Sequence, residues 1–109
     1  MIAVYFTGME IAIAAKQLEA LGNLTRLAIY RDIIQAGPGG CPVGHIRDAL
    51  DIPASTLSHH IAKLVNAGLL SQERNSRSLV CRARHESMDN LMEFLVKNCC
   101  SESWTIQED

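Results

Sequence analysis

The chain has 109 residues, of which 48% are hydrophobic and 20% charged, and its formal net charge is −2. A chain of this length predicts one small domain, residues 1–109, with a core at 9–100 and a polar tail at 101–109. The composition is ordinary for a globular fold. The slightly acidic total argues against a generally basic coat for nucleic acid, although the distribution of charge matters more than its sum.

The first 16 residues are mostly apolar, yet we do not expect them to form a targeting or membrane segment. No positive region precedes them, Glu10 interrupts them, and they fall short of the roughly 18 apolar residues of a membrane span. We therefore expect a cytoplasmic protein without a membrane partner. Residues 9–21 predict a helix packed against a partner, with one apolar face formed by Ile11, Ala14, Ala15, Leu18 and Leu21. Residues 1–8 have no assignment.

Two helices and a glycine-rich loop follow. Leu24–Ala36 predicts a second helix, which the sequence Gly37-Pro38-Gly39-Gly40 ends. A short third helix is predicted at Val43–Leu50, with its inward face formed by Val43, Ile46, Ala49 and Leu50. The tight connection Asp51-Ile52-Pro53 joins it to the next helix, and this pair is typical of a helix-turn-helix.

Residues 53–66 are the predicted recognition helix. Pro53 can open it, Ser55 and Thr56 can offer hydroxyls to first-turn amides, and Gly68 ends it. An apolar stripe is formed by Leu57, Ile61, Leu64 and Val65. The opposite face is short and polar, which suits phosphates and base edges, and it predicts DNA contacts by Ser55, Thr56, Ser58, His59 and Lys63.

Leu70–Arg84 predicts a β-hairpin with its tip at Asn75-Ser76. A helix-turn-helix followed by a hairpin is a winged helix, so the predicted fold is mainly α with a small β-hairpin. The wing residues Arg74, Asn75 and Arg77 are expected to contact the DNA backbone or minor groove. Residues 55–85 carry five Lys and Arg against Glu73, a net +4, whereas residues 86–109 carry six acidic groups against Lys97, a net −5. The positive charge therefore lies on the predicted DNA-facing unit.

A last helix is predicted at about Glu86–Cys100, with one apolar stripe formed by Met88, Leu91, Met92, Leu95 and Cys99. The apolar first and last helices exceed what a domain of this size leaves in water. We therefore expect a two-fold dimer interface that includes Ile11, Leu18, Leu91 and Leu95.

Two stretches give the chain a family resemblance. Leu21-Gly22-Asn23-Leu24-Thr25-Arg26-Leu27-Ala28-Ile29 is similar to the second-helix opening of the ArsR/SmtB metalloregulatory repressors. Ser55-Thr56-Leu57-Ser58-His59-His60-Ile61, continued by Ala67-Gly68-Leu69-Leu70, is similar to their recognition helix and wing entry. The resemblance covers about residues 9–100 and implies a homodimeric winged-helix repressor that leaves operator DNA when an inducer binds. Asn98-Cys99-Cys100 resembles the arsenic-responsive members.

The chain has four cysteines, which are its candidate ligands for an inducer. In a cytoplasmic protein we expect their thiols to be reduced. Cys41 is most simply a small buried residue, since Cys41-Pro42-Val43-Gly44 lacks the Cys-x-Cys of the family's best-known arsenic site. Strand alternation turns Cys81 inward, and Cys99 continues the apolar stripe of the last helix. We expect Cys81 and Cys99 to be the first thiolate pair and Cys100 a third ligand, within one chain or across the dimer. Simple packing of these cysteines is the alternative.

Soft thiolates select thiophilic ions, and trivalent arsenic prefers three sulfurs in a pyramid. A methylated arsenical needs only two, so arsenite, antimonite and methylarsenite all fit as inducers. No cofactor is expected for DNA binding. Zinc is less expected than arsenic, because His85, Glu86 and Asp89 do not match the pattern of the family's last-helix zinc site. A second hypothesis makes Cys81, Cys99 and Cys100 a disulfide or persulfide redox switch in the same fold.

The histidines do not indicate an enzyme. We expect His60 to have a structural role, His45 to be solvated and His85 to lie at the start of a helix. The sequence offers no combination of nucleophile, base and orienting group that is typical of a catalytic site. A third hypothesis is a helical protein-interaction module that binds no DNA. The sequence favours the arsenical-induced repressor, in which thiolate binding ties the wing base to the last helix and leaves the recognition helices badly spaced for the operator.

Overall fold

The computed structural model describes residues 7–97. Along the chain lie helices α1 (Thr7–Leu21) and α2 (Leu24–Ala36), strand β1 (Cys41–Pro42), helices α3 (Val43–Leu50) and α4 (Ala54–Asn66), strands β2 (Leu70–Asn75) and β3 (Ser78–Ala83), and helix α5 (His85–Val96). This is the predicted winged helix-turn-helix, mainly α with a small sheet. The predictions for Cys99, Cys100 and the 101–109 tail lie outside the described residues.

The sheet has three antiparallel strands in the order β1-β3-β2, one more than the predicted hairpin. Cys41 stands opposite Cys81, and Pro42 stands opposite Val80. A two-residue strand is too short to show an alternating pattern, so the sequence gives no sign of it. In the hairpin Asn75 pairs with Ser78, which places the turn at Ser76-Arg77, one residue later than predicted. Ser76 takes the positive φ of 62° that this turn requires.

The core lies between α2, α3, α4 and the sheet, and α4 supplies its centre. The predicted stripe of the recognition helix is confirmed, since Leu57, Ile61 and Leu64 are buried and Val65 packs against them. In α3 the prediction for Ala49 is wrong. Its inward face centres on buried Ile46, flanked by Val43 and Leu50, and it leaves Ala49 exposed at the edge of a two-turn helix. The other fully buried large residues are Ile29, Ile33, Leu69, Leu70 and Cys81.

The start of α4 differs from the prediction. Pro53 is the N-cap residue, with φ −58° and ψ 147°, and it makes no side-chain capping bond. Ser55 and Thr56 lie inside the helix, so they do not precede it as capping hydroxyls would. The predicted end is confirmed: Gly68 has φ 83°, and its amide donates to the carbonyl of Val65 at 2.9 Å.

Helix α1 buries only part of its predicted apolar face within the chain and leaves the rest open to a partner. Ala14, Gln17 and Ala20 are buried, whereas Ile11, Ala15 and Leu18 are exposed. Gln17 is polar, but its Nε2 donates to the carbonyl of Ala67 at 3.1 Å, so its burial leaves the amide satisfied. This long-range bond fixes the rotation of α1, and a count of apolar residues cannot detect it.

Helix α5 packs on α1, and Leu91 is buried within the chain. The predicted place of Leu91 in a dimer interface is therefore wrong, while Leu95 is 52% exposed. In the described part of the chain, no helix has both the length and the apolar character that a membrane crossing requires.

Candidate nucleic-acid interface and cysteine site

The outer face of α4 is polar and open. Ser55, Thr56, Ser58 and His59 are all exposed there, opposite the buried stripe of the same helix. Their side chains are short or flat, so the backbone of α4 can approach a groove closely. The structure thus brings four of the five predicted contact residues of this helix onto one accessible surface.

Lys63, the fifth, forms an ion pair at the surface of the protein. Its Nζ lies 3.1 Å from Oε2 of Glu19 in α1, and its side chain is 40% exposed. A half-exposed ion pair of this kind contributes little to stability. Part of the positive charge that the sequence assigned to the DNA face is therefore neutralised by α1.

One buried arginine, which sequence reasoning missed, sets the orientation of α4. Arg26 in α2 donates from Nε to the carbonyl of Ala20 at 2.7 Å, and its Nη1 lies 3.4 Å from Nδ1 of His60 in α4. Burial, then the charge of Arg26, then His59 lower the pKa of His60 below its ordinary value of 6.5. A neutral His60 accepts from Arg26, in accord with its predicted structural role. Asn23, whose Oδ1 caps α2 at the amide of Arg26, was the available signal.

The wing carries its positive charge at its tip. Arg74, Asn75 and Arg77 are exposed around the turn, as predicted for contacts with the DNA backbone. Arg82, lower on the hairpin, pairs across the strands with the carboxylate of Glu73. The charge available to a phosphate on this hairpin therefore comes first from Arg74 and Arg77.

Cys81 points into the body of the protein, as strand alternation predicts. It is fully buried, and Nε2 of Gln72 lies 3.7 Å from its Sγ. Burial raises the pKa of Cys81, and the bond from Gln72 offsets this in part. Burial thus shields the thiol from solvent and favours its protonated form.

Cys41 is buried like an ordinary packing residue, but it is not isolated. It is 2% exposed and lies directly across from Cys81 in the β1–β3 pair. Burial first, then the carboxylate of Asp32, then Cys81 raise the pKa of Cys41. Forty residues separate the two cysteines along the chain, so only the unpredicted strand β1 reveals their contact.

A helix-turn-helix domain family model matches residues 21–73, which include α2, α3, α4 and the start of the wing. A comparison with curated protein sequences finds no match.

Three similar solved structures are an ArsR-like transcriptional regulator from Rhodococcus, reduced HlyU from Vibrio cholerae and a homodimeric winged helix-turn-helix DNA-binding domain from Mycobacterium bovis. The Rhodococcus protein is 17% identical, with 90% of each chain covered and a TM-score of 0.75. HlyU is 23% identical over 86% of this chain and 96% of its own, with a TM-score of 0.66. The mycobacterial domain is 22% identical over 84% of each chain, with a TM-score of 0.65.

At these identities the likeness establishes the architecture, and it agrees with the match of the helix-turn-helix model. The chain therefore has a winged helix-turn-helix fold, which is similar to that of the ArsR-like transcriptional regulator, and the helix-turn-helix model matches its residues 21–73.

Proposed function

We propose that the protein is a homodimeric, DNA-binding transcriptional repressor of the ArsR family. The observation that carries this proposal is the exposed polar face of α4, with Ser55, Thr56, Ser58 and His59, followed along the chain by a wing with Arg74 and Arg77 at its tip. In a winged helix the first surface enters the major groove and the second follows the backbone. The match to a helix-turn-helix family model supports the same function.

The inducer in this proposal is a trivalent arsenical held by Cys81, Cys99 and Cys100. Cys81 supports it by its position, since β3 is both the base of the wing and a neighbour of α2 and α3. An ion that joins Cys81 to Cys99 and Cys100, which follow α5 along the chain, would couple the wing to the dimer arrangement. Coupling of about 1–3 kcal/mol changes affinity by about 5- to 150-fold, which suffices for release from DNA.

The raised pKa of Cys81 is compatible with this chemistry. When arsenous acid reacts with a protonated thiol, an As–O bond is exchanged for an As–S bond and the thiol proton leaves with the hydroxyl as water. Three such exchanges give the trithiolate and three waters, and no electron is transferred. A buried, protonated thiol is thus a competent partner, provided that the arsenical reaches it.

Mass spectrometry of the reduced full chain tests the inducer directly. With arsenite, one arsenic should be retained on three cysteines, and the mass should increase by arsenic less three protons. Methylarsenite should be retained on two. The proposal fails if the Cys81→Ser variant retains arsenite as the wild type does, or if neither arsenical is retained.

A second candidate function is a thiol redox switch in the same repressor fold. The observation that favours it is the position of Cys41 directly across from Cys81. Opposed residues on antiparallel strands have Cβ atoms about 4.5–5.5 Å apart, and a disulfide needs about 3.5–4.5 Å, so a small approach of the two strands would allow the bond. An oxidant or a persulfide donor added without oxygen should then release DNA in the absence of arsenic, whereas the arsenical proposal predicts no release.

A further inference from the structure

We propose that Asp32, Cys41 and His45 form a binding site for a zinc-class divalent ion, separate from the arsenical site. One oxygen, one sulfur and one nitrogen from these residues all lie within 4.8 Å of one another. They come from three consecutive elements, α2, β1 and α3, and all belong to one chain. The site does not depend on the proposed response to arsenic.

The three groups differ in burial. Cys41 is 2% exposed, Asp32 is half-buried, and His45 is exposed. Within the described chain, Oδ2 of Asp32 is buried and has no hydrogen-bond partner. A buried carboxylate oxygen without a partner is costly, and a bound cation would satisfy it.

The donor set selects the class of ion. Thiolate, imidazole and carboxylate together suit Zn²⁺, which binds them at about 2.0–2.3 Å in a tetrahedral arrangement. Ligand atoms of such a site lie about 3.3–3.8 Å apart, so groups that lie within 4.8 Å of one another need to close by at most about 1.5 Å. Trivalent arsenic prefers three sulfurs and finds only one here.

The fourth position is open to water or to another ligand. Cys81 lies across from Cys41, but its sulfur accepts from Gln72 and does not belong to the group of three. This separates the two sites by chemistry, with a mixed S, N, O set on Cys41 and a sulfur set on Cys81. An ion on the first set would tie α2 to the amino-terminal half of α3, the first helix of the helix-turn-helix.

Cobalt titration of the reduced, metal-free full chain tests the site. Cys99 and Cys100 are both replaced by Ser in the parent protein, so that the end of the chain contributes no thiolate. Co²⁺ should produce a sulfur-to-cobalt charge-transfer band and the ligand-field bands of a tetrahedral site, and Zn²⁺ should displace it. Zn²⁺ should also raise the melting temperature.

Single variants in that parent identify the ligands. Cys41→Ser should abolish the charge-transfer band. Asp32→Asn and His45→Gln should each weaken the affinity beyond the roughly 10- to 100-fold that follows loss of an outer-shell partner. The matched controls Cys81→Ser, Asp48→Asn and His85→Gln should bind Co²⁺ as the parent does.

The proposal is overturned if the parent gives no tetrahedral spectrum, if Cys81→Ser removes the band, or if His45→Gln leaves the affinity unchanged. His45 is exposed, so its replacement tests the site even if Cys41→Ser fails to fold. Circular dichroism of each variant without metal supplies the folding control.

Discussion

His60 and Arg26 show how single residues hold the helix-turn-helix in place. The guanidinium of Arg26 reaches the end of α1 and the inner side of α4, so one side chain joins three helices. His60 must stay neutral to accept from it, because a protonated imidazole beside a buried arginine would be repelled. The stability of the fold is therefore linked to the protonation of His60.

This linkage predicts a pH dependence. The pKa of His60 lies below 6.5 in the folded protein, so the unfolded chain takes up this proton first as the pH falls. The contribution is complete above 6.5 and is lost as the pH falls from there toward the folded pKa. Between about pH 7.5 and about pH 5, urea unfolding should show a smaller loss of stability in His60→Gln than in the wild type. The exposed control His85→Gln should behave as the wild type, and equal losses in all three proteins would contradict the role of His60.

The cysteines give a second prediction at this scale. Cys81→Ser and Cys99→Ser should each keep DNA binding but abolish release by trivalent arsenicals, because a hydroxyl is a poor ligand for a soft ion. Cys100→Ser should impair release by arsenite more than release by methylarsenite, and Cys41→Ser should release normally. Fluorescence anisotropy with labelled DNA measures each dose response. If the Cys81→Ser variant released DNA with the dose response of the wild type, the arsenical would bind elsewhere, and the base of the wing would not couple binding to release.

Whole elements show what the sequence could and could not predict. The bounds of α2 and α3 follow from apolar periodicity and from the Gly37–Gly40 loop, and the buried face of α4 follows from its stripe. Strand β1 and the rotation of α1 depend instead on partners about 40 to 50 residues away, namely Cys81 and Ala67. For the same reason the sequence could not predict the contact of Cys41 with Cys81, or the cluster that Cys41 forms with Asp32 and His45.

The polar face of α4 leads to a prediction about DNA binding. Replacing Ser58, His59 and Lys63 together by Ala should weaken DNA binding, since base-edge contacts are worth about 1–3 kcal/mol each. The fold should persist, because the only described ion pair lost is the one between Lys63 and Glu19, worth at most about 1 kcal/mol. Anisotropy measures binding, and circular dichroism checks the fold. The control Arg31→Ala, an exposed charge on α2, should bind as the wild type, and a triple variant that also does so would refute the recognition helix.

At the scale of the whole molecule, α1 and α5 both leave large apolar side chains exposed. These side chains are Ile11, Ile13, Leu18, Met92, Leu95 and Val96. Exposed apolar side chains on two packed helices are typical of a two-fold interface.

Placing a charge among these side chains should separate the subunits. Leu18→Glu or Leu95→Glu should convert a dimer into a monomer at micromolar concentration, measured by sedimentation, and should weaken DNA binding because one half-site is lost. The control Leu24→Glu changes a residue that is 87% exposed at the start of α2 and should remain dimeric. A wild-type chain that sediments as a monomer and still binds DNA would contradict the proposed assembly.

DNA binding itself is the central claim, and its salt dependence tests it most directly. Duplexes selected from a random-sequence library by the full chain supply the probe, and the dissociation constant is measured across a range of salt concentrations. The recognition helix and wing, with a net charge of +4, predict a steep loss of affinity with salt, about 0.9 in the log–log slope per phosphate neutralised. Arg74→Ala with Arg77→Ala should reduce that slope by about 2. Failure to bind any duplex at low salt would contradict the account and favour a protein-interaction module.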